Sequence, residues 1–137
     1  MADIYSPVPC ATGLVPESAI FSNGVYSNIP DGSYVWELVY APDHLYYPQS
    51  PNACGGGAPP IQDGGNSGNW SVNTYLGSAA DTEPKWYDII VAVADQAASD
   101  QLSSWLVNHC PNFPGIGYET ISQWNITEKV SITIRTR

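Results

Sequence analysis

"KWYDIIVAVADQAASDQLSSWL", residues 85–106, decides between two folds. Ile89, Ile90, Val91, Ala92 and Val93 form an unbroken apolar run. Dense β-branching favours a strand, and the lack of alternation means that both of its faces are covered. Asp95 comes next, a residue type that caps helix N-termini by accepting from backbone N–H groups. Ala98, Leu102, Trp105 and Leu106 then fall at helical spacing, which predicts an amphipathic helix to about Asn108. Pro111, Pro114, Gly115 and Gly117 end it. A buried strand followed by a helix is also the unit of an α/β fold. That fold needs further helices, and no other segment patterns as well.

The remaining segments pattern as strands. "SYVWELVYAP", residues 33–42, alternates Tyr34, Trp36, Leu38 and Tyr40 against Val35, Glu37 and Val39, as a central strand of a sandwich does. "WSVNTYLG", residues 70–77, sets Trp70, Val72, Thr74 and Leu76 against Ser71, Asn73 and Tyr75. In the tail, Val130, Ile132 and Ile134 alternate with Ser131, Thr133 and Arg135, a half-buried final strand. Residues 18–26 favour β-structure, with Asn23-Gly24 predicting a hairpin turn or a bulge. Residues 1–17 carry Pro7, Pro9 and Pro16 and read as an extended arm along a sheet edge, where a missing N–H does no harm. The expectation is one all-β domain. It is an antiparallel sandwich of about seven strands, with one short helix at an end or edge.

"IPDGSYVWELVYAPDHLYYPQ", "NWSVNTYLG" and "YDIIVAVADQAASDQLSSWL", in that order, resemble a small module of poorly characterised bacterial proteins. The likeness spans about residues 25 to 110 and the last strand, and its motifs are aromatic and structural. It implies an Ig-like or fibronectin-like architecture used for recognition or assembly. The long Gly/Pro/Asn loop at 48–69 departs from that pattern.

Composition excludes several functions. The net charge is −9, with only four Lys and Arg among 137 residues. No basic stripe can follow a phosphate backbone, so nucleic acid is a poor partner, and so is an anionic membrane. No segment approaches the length of a membrane span. The opening MADIYSPVPC lacks a basic region followed by an apolar one, so no signal peptide is visible. The compartment stays open between cytoplasm and a mature secreted chain.

Catalytic signatures are absent too. Cys10, Cys54 and Cys110 have no CxxC spacing for zinc, and a Cys10–Cys110 bridge is the first pairing expected in an oxidising compartment. The triple glycine at 55–57 lacks both the GxGxxG spacing and a Walker lysine. Glu37 with Asp31 and Asp43, and Asp81 with Glu83 and Asp88, read as solvated carboxylates at strand ends. No cofactor or metal is called for, and the chain is not expected to be an enzyme.

Aromatic and amide groups at the long loop are the richer signal. Tyr46, Tyr47, Trp70 and Trp86 sit at strand ends, where rings can be half exposed and can stack on sugar C–H faces. Asn52, Asp63, Asn66 and Asn69 supply groups that bind hydroxyls. Tyr46, Tyr47, Asn52, Asp63, Asn66, Asn69 and Trp70 are therefore the candidate ligand-binding residues. The competing reading has the rings packing across the loop base. Asn69 and Asn125 also head glycosylation sequons, which matter only in a secreted chain. The functional expectation is a non-catalytic recognition module, lectin-like, that binds a glycan or a protein surface. The alternative is an assembly subunit, a possible homo-oligomer joined through the arm or an edge strand.

Overall fold

A computed structural model of the chain describes residues 1–12, 14, 19–62, 64–77 and 83–136. Among these are seven strands: β1 (Ala2–Ser6), β2 (Ile20–Tyr26), β3 (Tyr34–Tyr40), β4 (Tyr46–Gln49), β5 (Gly68–Thr74), β6 (Trp86–Ala94) and β7 (Ile126–Arg135). Helix α1 (Gln96–His109) and the single turn α2 (Tyr118–Ile121) lie between β6 and β7. One sheet has the order β1-β2-β5 and the other β4-β3-β6-β7, with antiparallel neighbours throughout. β4 lies beside β3, as the added C′ strand does in Ig-type sandwiches. The expected all-β sandwich is the fold.

Two apolar layers follow from the alternation of β3. Val35 and Val39 point into the gap between the sheets, with Val72, Leu76, Ile89, Val91 and Ile134. Trp36 and Leu38 point the other way, with Ile90, Ala92 and Ala94, and meet Ala98, Leu102 and Leu106 of α1. The helix therefore covers the outer face of the four-stranded sheet, not an end or edge of the sandwich. That face is apolar in its own right and needs a cover. Burying Leu102 and Leu106 contributes about 1.5–3 kcal/mol each. Asp95 caps the helix as expected, accepting from Ala98 N–H at 2.8 Å. The indole of Trp36 donates to Ser99 Oγ at 2.9 Å and fixes the helix on the sheet.

Other expectations give way. Asn23-Gly24 makes no turn but lies inside β2, while the alternative of a bulge is met by the register shift between Ile4 and Ser6 of β1, opposite this pair. Opposite it, Trp70 of β5 pairs with Gly24, and Gly24 pairs with Ile4 of β1. A Cβ on Gly24 would stand 1.9 Å from the Asp3 carbonyl oxygen and 2.7 Å from Trp70 Nε1. The glycine is there for close approach. β1, β4 and α2 form where the local pattern marks no strand or helix.

The arm works within its own chain. After β1 it crosses to the other sheet, where Cys10 N–H donates to Thr133 O and Arg135 N–H donates to Ala11 O, both at 2.8 Å. Gly13 and residues 15–18 fall outside the described residues, as do residues 78–82 of the connection to β6. Among the described residues, no helix is long and apolar enough to cross a membrane.

Candidate functional site

The long loop is a strap with two halves. In the first, Ala58 N–H returns to Asn52 O at 3.2 Å, and Ser103 Oγ of α1 donates to Ala58 O at 2.7 Å. Cys54 and Cys110 are joined there by a disulfide, and Cys10 is free and exposed. The expected Cys10–Cys110 pairing is therefore corrected. The arm carries Cys10 to β7, whereas Cys54 and Cys110 have Cα atoms 5.6 Å apart, within bridging range. In the second half, Ile61 N–H donates to Val35 O at 3.0 Å and Ser71 N–H to Ile61 O at 3.3 Å, so the strap joins β3 to β5.

This construction redistributes the candidate residues. Trp70 is 1% exposed, and its Nε1–H donates to Asp3 O at 3.0 Å. The half-exposed ring expected at this strand end is instead core and has no face to offer a ligand. Asn66 donates through Nδ2 to Ile29 O at 2.8 Å and to Asp31 Oδ1 at 2.6 Å, tying the strap to the β2–β3 turn. Asn52 packs its amide over Gly56, where a Cβ would stand 2.2 Å from Nδ2. Asn69 is exposed on the outer face of β5. Asp63 lies outside the described residues. Tyr46 and Tyr47 are neighbours on β4 and so serve opposite faces: Tyr46 packs with the helix-side core, Tyr47 with the inter-sheet core.

Among the described candidates, Tyr47 is the one that lines the larger of two clefts. The cleft, about 650 Å³, opens where the edge strands β4 and β5 meet. Tyr47, Tyr75, Tyr87 and Phe113 supply rings, and Gln49, Ser50 and Asn73 supply neutral polar groups. Gln49 spans the gap, accepting from Tyr75 N–H at 3.1 Å and donating to Tyr47 O at 3.2 Å. Tyr47 donates its hydroxyl to Asp43. Burial first, then that hydrogen bond and the Asp43 charge, push its phenol up to about 12. Among the described residues, the lining holds one acid, Asp43, and one base, Lys85. The described lining thus carries one charge of each sign within a chain of net charge −9.

Tyr75 is 53% exposed, and Asn73 is exposed beside it. Among the described residues, neither side chain is engaged in a hydrogen bond. They were legible as outward positions in the alternation of residues 70–77, Asn73 within β5 and Tyr75 just past its end. What was not legible was that β4 would lie alongside and give them a second wall.

Glu37 also departs from its expected place. It is fully buried between the sheets, not solvated at a strand end. Ser22 Oγ lies 2.7 Å from Thr74 Oγ1, and Thr74 donates onward to Glu37 Oε1. Oε2 has no partner. Burial pushes this carboxyl up to about 8, against a smaller lowering by the Thr74 hydrogen bond. The group does not line the cleft. It joins β3 of one sheet to β2 and β5 of the other. His109 Nδ1 lies 2.7 Å from Trp105 O, and Cys110 is held in the disulfide. Among the described residues, no three His, Cys, Asp or Glu side chains are grouped to hold a metal ion.

No known family, characterised protein or solved structure matches this chain. The chemistry of the cleft therefore carries the functional reading.

Proposed function

We propose that the protein is a non-catalytic recognition module and that the cleft between β4 and β5 takes a neutral, hydroxyl-rich ligand, most simply a glycan. The observation that carries this is the pairing, at one mouth, of the half-exposed Tyr75 ring with the unengaged amide of Asn73, opposite Tyr47. Sugar rings present C–H faces to aromatic rings and hydroxyls to amides, and need no charge from the protein. A lining whose described residues carry one charge of each sign suits that ligand better than a phosphate or a peptide rich in charge. The Cys54–Cys110 bridge supports the same class of role, because disulfides persist in oxidising settings such as the cell exterior.

A broad array of neutral glycans, probed with the full chain, tests this reading. Binding that is lost in both Tyr75→Ala and Asn73→Ala is the expected result. An array without a hit, or hits indifferent to both substitutions, overturns it.

Self-association through the arm is a second reading, supported by Tyr5 and Val8, which stay 60% and 61% exposed on it. The arm would then add to β7 of another copy the hydrogen bonds it makes to its own. Light scattering decides: a strict monomer at high concentration removes this reading.

A further inference from the structure

A second hollow, of about 290 Å³, lies on the outer face of the four-stranded sheet. The buried Leu38, Ile90 and Ala92 line it from β3 and β6. Three aromatic rings converge on it from separate elements: Tyr46 of β4, Tyr118 at the start of α2, and Trp124 just beyond α2. Tyr118 is 68% exposed, and Tyr46 and Trp124 are half-buried. Glu128 of β7 lines the same hollow, and among the described residues no basic one does. The Tyr40 ring backs Tyr46, with centroids 4.7 Å apart. Burial first, then Tyr40, Glu128, Tyr118 and Asp88, raise the Tyr46 phenol above its ordinary range.

Ring faces carry negative potential and attract cations that shed water easily. A carboxylate on the wall adds to that attraction. A hard metal ion needs six or more oxygen ligands, and one carboxylate does not supply them. A purely apolar ligand would strand Glu128. A sugar would find fewer amides here than in the β4/β5 cleft. We propose that this hollow binds a trimethylammonium group, its methyls against Tyr46, Tyr118 and Trp124 and its charge facing Glu128.

The test is an NMR titration of the full chain, following the Trp124 indole N–H, at constant ionic strength. Choline, glycine betaine and the uncharged choline isostere 3,3-dimethyl-1-butanol are the three probes. Choline is expected to shift the Trp124 signal with saturation in the millimolar range. Betaine, whose own carboxylate Glu128 opposes, shows whether a zwitterionic source is taken as well, binding more weakly than choline. The neutral isostere is expected to bind about fivefold or more weakly than choline, because the cation–ring attraction is gone. Tyr118→Ala and Glu128→Gln change exposed side chains, so the fold is retained, and each should weaken choline binding by about 2- to 5-fold. Equal binding of choline and its neutral isostere overturns the proposal, as does a choline response unchanged by both substitutions. No Trp124 shift at tens of millimolar choline does so too. Glycan binding at the other cleft is a separate measurement, and either result leaves the other standing.

Discussion

Trp70 of β5 donates its indole N–H to the backbone carbonyl of Asp3 on β1, at 3.0 Å, across the bare Cα of Gly24 on β2. One side chain thereby holds all three strands of the smaller sheet. The arrangement exists only because the middle strand has no side chain at that point.

Gly24→Ala should therefore be among the most damaging single changes in the chain. The added methyl would meet the backbone of β1 and the Trp70 ring at once, and neither is the free end of a flexible side chain. Overpacking of this kind, joined to loss of the indole hydrogen bond, costs about 3 kcal/mol or more. Gly24 has no positive φ, so backbone strain is not the cause. Chemical denaturation would read the loss, and a midpoint within 1 kcal/mol of wild type (about the cost of a typical substitution) would contradict it.

Glu37 makes stability depend on pH in a definite direction. Its folded value of about 8 lies above the ordinary 4.5. Below about pH 4.5 both folded and unfolded chains hold the proton, and the contribution is complete. Between 4.5 and 8 the unfolded chain has released it and the folded chain has not, so stability falls as pH rises. Above 8 the loss levels off at several kcal/mol, on the order of 1.4 kcal/mol per pH unit of the window. Glu37→Gln keeps the shape and does not titrate. Urea midpoints measured from pH 5 to 8 should fall less steeply in this variant than in wild type. Parallel profiles would mean that Glu37 is not protonated in the fold.

The Cys54–Cys110 bridge ties the first half of the strap to the end of α1. Replacing both cysteines with serine should cost about 2–4 kcal/mol. Hydrogen exchange should quicken first in residues 52–58 and in the last turn of α1. Cys10→Ser should leave both readouts unchanged, because Cys10 is free and exposed.

Asn66 was a candidate for ligand contact, and its amide is already committed to Ile29 O and Asp31. Asn66→Ala should lower stability by about 1–2 kcal/mol. It should leave glycan binding unchanged, since the residue does not line the cleft. A binding defect without a stability defect would reverse this assignment.

The strands with a strong period were legible, and so was their burial. Trp36 and Leu38 oppose Val35 and Val39 as their alternation dictates, and Ile89 to Val93 are covered on both faces. Asp95 caps α1 through chemistry written into three residues. The candidate site was less legible, because its parts depend on contacts distant in sequence. Trp70 reads as the first residue of a strand after a loop, and nothing local says that Gly24 and Asp3 will receive its ring. Tyr46-Tyr47-Pro48-Gln49 contains a proline and two adjacent rings, so it reads as a turn. It pairs with β3 because it is an edge strand, where the missing Pro48 N–H is harmless. Once β4 is in place, Tyr46 and Tyr47 must part company, one to each face. Tyr75 and Asn73 gain their importance only then.

The cleft between β4 and β5 is best tested by titrating the isotope-labelled chain with a panel of neutral oligosaccharides. The backbone amides of Gln49, Asn73 and Tyr75 are the reporters. Saturable shifts are predicted at these residues and at Tyr47, with Asn66 and the indole of Trp70 unmoved, and binding should weaken at least tenfold in Tyr75→Ala. Amides that stay still with every sugar, or shifts gathered at Asn52, Asn66 and Trp70 instead, would contradict recognition through this cleft.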